Sequence, residues 1–161
     1  MLLSSFGWEV QAQSENKQNK QRINSALLDE IKSIVKAEEN SWVLDREREY
    51  PIGLSLIANG LGLVWKSNKK QVSVDIGEHE TIEKASEIFA EIASGRYITV
   101  HVPVKLEKDF ADEAMLRTTN LYGGSKINFY FSQGKYTVDI WGREKDARRF
   151  AKHILAAVNA R

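Results

Sequence analysis

Apolar residues along this chain change their period in a regular order, and one such change occurs twice. From Val72 to Ile76 they alternate with polar residues, run into Gly77, and then recur at helical spacing on Ile82, Ala85, Ile88, Phe89 and Ile92. About 64 residues later, Tyr136 to Ile140 alternates in the same way and reaches Gly142. A second helical stripe follows on Ala147, Phe150, Ala151, Ile154, Leu155 and Val158. A period of two giving way to a period near 3.6 reads as a strand delivering the chain into an amphipathic helix. Its recurrence reads as an internal repeat.

The same pattern reading fills in the rest. Ile23, Leu27, Ile31, Ile34 and Val35 predict a helix to about Glu39. Trp42-Val43-Leu44 leading into the charged run Asp45–Glu49 predicts a strand with one wet face. Pro51 suits a helix's first turn and Asn59-Gly60 its left-handed cap, so a short helix is expected between them. Leu61–Trp65 and Val72–Ile76 predict a hairpin with a four- or five-residue loop at Ser67-Asn68-Lys69-Lys70, and a helix follows from about Glu80 to Ser94, ending at Gly95. Tyr97–Pro103 alternates and is β-branched, which predicts a strand. Leu106, Phe110, Ala114 or Met115, and Thr118 predict a helix from about Leu106 to Leu121, stopped at Gly123-Gly124. Ser125–Ser132 and Lys135–Trp141 predict a second hairpin around Gln133-Gly134, and the last helix runs from about Glu144 to Ala160.

The expected fold is α+β: two similar β-α-β-β-α modules with an extra N-terminal helix, and with the helices on one side of an antiparallel sheet. Residues 1–22 form a tail, 23–95 the first module and 96–161 the second. In this order of elements, Val102-Pro103 before a helix and Val138-Asp139-Ile140-Trp141-Gly142 before the last helix, residues 97–158 resemble the K-homology RNA-binding fold. That resemblance implies contact with single-stranded nucleic acid. The Gly-x-x-Gly loop that carries the family's activity has no counterpart between Leu106 and Leu121, where Ala111-Asp112-Glu113-Ala114 stands.

At 161 residues, with 42% hydrophobic and 28% charged residues, the chain can bury one ordinary core. It contains no cysteine, which excludes disulfides, thiolate zinc sites and cysteine nucleophiles and fits a reducing cytosol. Met1-Leu2-Leu3 lacks a basic flank, and no run approaches the roughly 18 apolar residues of a membrane span. The expectation is a soluble cytoplasmic protein without membrane contact.

Candidate chemistry is sparse. His79, His101 and His153 have no ligand spacing, and no metal or cofactor site is expected. Glu78, Glu80, Glu83, Glu87 and Glu91 read as a solvated helix face rather than a catalytic pair. Gly123-Gly124-Ser125-Lys126 lacks P-loop spacing, and no Gly-x-Ser-x-Gly elbow is present. The expectation is therefore no enzymatic activity.

The net charge is only +1, yet basic residues collect toward the C-terminus. Lys126 and Lys135 on the hairpin, with Arg143, Lys145, Arg148, Arg149 and Lys152 on or beside the last helix, form a candidate phosphate-contacting surface. Its alternative is neutralisation by the glutamate helix of the first module. Tyr130 and Tyr136 on the hairpin strands are candidate stacking platforms for single-stranded bases. Phe6 and Trp8 precede a polar Gln11–Gln21 spacer and are candidate anchors for a partner protein or a second copy of the chain; the alternative is an added strand on the protein's own sheet. The leading function is a non-enzymatic binding or adaptor protein for RNA or single-stranded DNA. The other is a protein-interaction subunit of a larger assembly.

Overall fold

The computed structural model describes residues 25–50, 59–95, 104–119 and 126–161. The expected tail, the short helix after Pro51, the strand Tyr97–Pro103 and the stop at Gly123-Gly124 lie outside them. The described elements run in the order α1 (Ser25–Glu38), β1 (Val43–Tyr50), β2 (Asn59–Ser67), β3 (Lys70–Glu78), α2 (Ile82–Ala93), β4 (Val104–Leu106), β5 (Glu113–Thr119), β6 (Lys126–Gln133), β7 (Tyr136–Gly142) and α3 (Glu144–Asn159). The protein is α+β, and the seven strands form one antiparallel sheet in the order β1-β2-β3-β7-β6-β5-β4.

The two segments that read as strand-to-helix turns, Val72–Ile92 and Tyr136–Val158, supply the centre of the molecule. β3 and β7 pair with each other, Val74 opposite Ile140 and Ile76 opposite Val138. Thr81 caps α2 by accepting a hydrogen bond from the Lys84 N–H at 3.1 Å, which satisfies one of the donors orphaned at a helix start. Both hairpins close through two-residue turns whose first residue is left-handed, Asn68 (φ 52°) and Gly134 (φ 53°); the first is tighter than the four- or five-residue loop expected, because Ser67 and Lys70 pair in the ladder. Asn and Gly are the residues for which that region is least strained.

One face of the sheet carries the main core. Val72, Val74 and Ile76 on β3, Val138 and Ile140 on β7, and Phe129 and Phe131 on β6 are buried there against α1 and α3. Phe150 of α3 is fully enclosed, with ring centroids 5.1 Å from Trp42 and 5.3 Å from Trp65. Leu27, Ile31 and Val35, four residues apart in turn, seat α1 beside α3.

The other face is covered by α2, but only over β5, β6 and β7. Its small core is Phe89, Met115 and Tyr130, with Phe89 stacked on Tyr130 at 5.5 Å. The expected placement of every helix on one side is thus corrected. β5 and β6 present large apolar side chains to both faces, and each face needs a cover.

Three local expectations also change. The helix predicted over Leu106–Leu121 is replaced by β4, a turn in which Asp109 is left-handed (φ 65°), and β5. Ala114 and Leu116 face the main core and Met115 the smaller one, so a strand covered on both faces loses its alternation and mimics helical spacing. The β-α-β-β-α order, and the K-homology likeness of residues 97–158 with it, loses its first helix there. Asn59-Gly60, expected to cap a helix, instead pair with Glu78 and Gly77 in β2.

Candidate functional site

The basic residues singled out in the sequence fall into two groups. Arg148 is held by the Glu107 carboxylate through both terminal guanidinium nitrogens, at 3.1 and 2.9 Å, and by Glu144 at 2.9 Å, and it lies 5.5 Å over the Phe129 ring. The Glu107 hydrogen bonds push its pKa up and hold Glu107 below the usual carboxylate range. Arg149 is ion-paired with Glu39 at 2.6 Å and Asp146 at 3.1 Å, and Glu39 also meets His153 at 3.0 Å. These arginines tie the turn after β4 and the end of α1 to α3. Lys135 pairs with Glu78 at 2.5 Å and lies 5.6 Å over the Tyr136 ring.

Arg143, Lys145 and Lys152 are exposed, with no carboxylate in ion-pair reach among the described residues, and Lys126 is exposed at the start of β6. The glutamates of α2 do not neutralise this helix, because α2 and α3 lie on opposite faces of the sheet. Neither tyrosine is an exposed platform. Tyr136 is buried, and Tyr130 is enclosed under Phe89, its pKa raised by burial against the pull of the neighbouring Thr137 hydroxyl. Phe6 and Trp8 lie outside the described residues.

The sheet offers a different surface. Beyond α2, the second face over β1, β2 and β3 is uncovered by any described helix. The register lines its side chains up in two rows across four strands. One is Trp141, Ser73, Val64 and Arg46; the other is Asp139, Asp75, Gly62 and Arg48. A bulge between Leu44 and Arg46 turns both arginines onto this face, while Glu47 faces the other way and pairs with Lys32 of α1 at 2.6 Å. A groove of about 240 Å³ lies over these rows, lined by Arg46, Arg48, Gly62, Gln71, Ser73 and Asp75. Gly62 contributes no side chain, and this opens the floor between Arg48 and Asp75. Neither arginine has a carboxylate partner among the described residues.

Trp141, 38% exposed, stands at the end of the first row. Its indole N–H donates to the Asp139 carboxyl, which also accepts from the Asn128 amide. Burial first, and the neighbouring Asp75 charge second, push Asp139 up to about 7, against the pull of Trp141, Asn128 and Arg117. Arg117 is itself buried and donates to the Ile92 carbonyl at the end of α2. The indole is thus fixed at its polar edge while one side of the ring meets solvent. Arg143 follows Trp141 and Gly142 directly, and Lys66, opposite Gln71, adds a further cation beside Asp45.

The sequence reading passed over Arg46, Arg48, Asp75 and Trp141. Its available signals were the Arg-Glu-Arg-Glu alternation within one strand and the Val-Asp-Ile triplet that occurs in both central strands, an acid inside an apolar run.

No protein-family model matches the chain, and no curated protein matches it. Two solved structures share its architecture. A GTP-binding regulator from Thermotoga maritima aligns with TM-score 0.52 at 15% identity, over 79% of this chain and 83% of that one. The extracellular domain of PknH from Mycobacterium tuberculosis aligns with TM-score 0.54 at 12% identity, over 87% and 93%. At these identities the likeness is one of fold. Among the described residues no helix is long and apolar enough to cross a membrane.

Proposed function

We propose that this chain is a non-enzymatic binding domain that engages RNA or single-stranded DNA on the open half of its sheet. The observation that carries the reading is the row, uncovered by any described helix, in which a half-exposed, hydrogen-bonded Trp141 shares a face with Arg46 and, one row along, Arg48. An aromatic face on a sheet stacks bases of any identity, and guanidinium groups beside it meet the phosphates. The stacking role expected of Tyr130 passes in this reading to Trp141. Arg143, Lys145 and Lys152 extend the cationic surface past the end of β7, whereas Arg148, Arg149 and Lys135 serve as internal ties.

The proposal includes the repeat. Each half is read as a β-hairpin followed by a helix, with β3 and β7 as equivalent central strands, and the cytoplasm remains the compartment. A protein partner or self-association is favoured by a separate observation: the edge strand β4 exposes Val104 (42%) and Leu106 (64%), an apolar edge of the kind that pairs with another chain. The neighbours' names, a regulator and an extracellular domain, are consistent with binding as the role.

Nucleic-acid binding is tested on the purified protein. An absorbance excess near 260 nm that salt removes, and binding of a single-stranded oligonucleotide that weakens with salt and with Trp141→Ala, are the expected results. A protein free of nucleic acid that binds no oligonucleotide at low salt contradicts the reading and leaves the β4 edge as the working surface.

A further inference from the structure

We infer that single-stranded nucleic acid on this sheet face binds together with a proton held at Asp139, so that affinity falls as pH rises. The inference rests on the nucleic-acid reading above and specifies how that surface is regulated.

Two carboxyl groups meet in the middle of the sheet. Asp75 on β3 and Asp139 on β7 are directly opposed in the ladder, and side chains so placed stand about 5 Å apart at Cβ. Two carboxyls sharing a site resist ionising together, and one of them keeps its proton to an unusually high pH. Here Asp139 keeps it, to about 7, through burial first and Asp75 second. The hydrogen bonds from Trp141 on its own strand and Asn128 on β6, and the charge of Arg117 on β5, pull the other way without prevailing. Tyr130 of β6 lies directly opposite Asp139 on its other side. The ionisable groups of α2 are Glu83, Lys84 and Glu87, all exposed, and the partly buried Glu91. Asp139 itself retains some solvent exposure, so its proton can exchange.

This proton sits beside the residue proposed to stack bases. The Asp139 carboxyl accepts the Trp141 indole N–H, and along the strand the order is Asp139, Trp141, Arg143. Arg143 is exposed and in extended backbone (φ −69°, ψ 143°). A base on the indole therefore lies between a permanent cation and a group that is neutral below about pH 7 and negative above it. A phosphate held there raises the cost of ionising Asp139. By linkage, a proton on Asp139 favours the phosphate by the same factor. For one phosphate charge about one Debye length away, roughly 8 Å at physiological salt, that factor is about fourfold.

The test titrates the full chain with a deoxyadenosine octamer lacking terminal phosphates, which has no group of its own titrating between pH 6 and pH 8.5, at constant ionic strength. In the wild-type protein the dissociation constant is expected to rise about fourfold across that range. In Asp139→Asn it is expected to stay constant. The carbon-13 resonance of the Asp139 carboxyl is expected to show a titration midpoint that moves up when the octamer is bound. Affinity independent of pH, or a pH dependence equally large in Asp139→Asn, overturns the inference while the nucleic-acid reading stands. Absence of binding at pH 6 overturns both. If Asp139→Asn fails to fold, the carboxyl midpoint of the wild-type protein decides: an upward move on binding supports proton coupling, and an unmoved midpoint overturns it.

Discussion

Replacing Asp139 by asparagine should make the protein more stable at neutral pH, although it removes a hydrogen-bonded residue from the centre of the sheet. In the folded protein the Asp139 carboxyl titrates at about 7, against 3.8 for an ordinary aspartate. The folded state therefore holds a proton that the unfolded chain has released, and this group costs nothing below about pH 4. As pH rises from there through 7, its contribution falls. At about 1.4 kcal/mol per pH unit, the full difference is on the order of 4 kcal/mol. Asparagine removes the buried charge and keeps one oxygen for the Trp141 and Asn128 N–H groups. Part of the gain is lost because one acceptor oxygen becomes a donor, so an increase of about 2–3 kcal/mol at pH 8 is expected, with little change at pH 4. Urea unfolding of both proteins across that range measures it. A variant destabilised equally at pH 4 and pH 8 would refute the reasoning, because it would mean that Asp139 is ionised and well paired throughout.

The remaining expectations concern packing and ties. Phe150→Ala should lower unfolding free energy by about 3–5 kcal/mol, since the ring is fully enclosed between Trp42 and Trp65; a loss below about 1 kcal/mol in urea titration would place it outside the core. Tyr130→Phe should change the unfolding free energy by no more than about 1 kcal/mol in urea titration, because the enclosed hydroxyl has only Thr137 beside it and Thr137 is already engaged by His79 at 2.8 Å. Reversing Lys145 and Lys152 to glutamate should leave the melting temperature unchanged and lower the salt slope of oligonucleotide binding by about one for each phosphate no longer neutralised. The same reversal of Arg148 should destabilise the protein measurably, as it sets a new carboxylate against Glu107.

What was legible in the sequence was what one surface decides. Leu27, Ile31 and Val35 of α1, Ala85, Ile88 and Phe89 of α2, and Phe150 and Ile154 of α3 each bury a single stripe, so their period is plain and their helices were found to within a few residues. Both hairpins announced themselves through alternation and through Asn68 and Gly134. β5 was illegible because Ala114, Met115 and Leu116 are covered from both sides, and a doubly buried strand has no period of its own. The burial of Tyr130 depends on Phe89, which is far upstream, and the pairing of Arg148 depends on Glu107 across a turn; neither neighbour can be inferred from local composition. The candidate surface was hidden for the same reason. Trp141, Ser73, Val64 and Arg46 come from four strands, and only the register makes them a row.

The central claim, that the open half of the sheet binds single-stranded nucleic acid, is tested most directly by amide and indole NMR shifts during titration with a short single-stranded oligonucleotide. The account predicts that the Trp141 indole N–H and the backbone signals of Arg46, Gly62, Ser73 and Asp75 move together and saturate, with smaller changes at Lys145 and Lys152. Shifts confined to α3 or to the β4 edge, with the Trp141 indole unmoved at saturation, would contradict it.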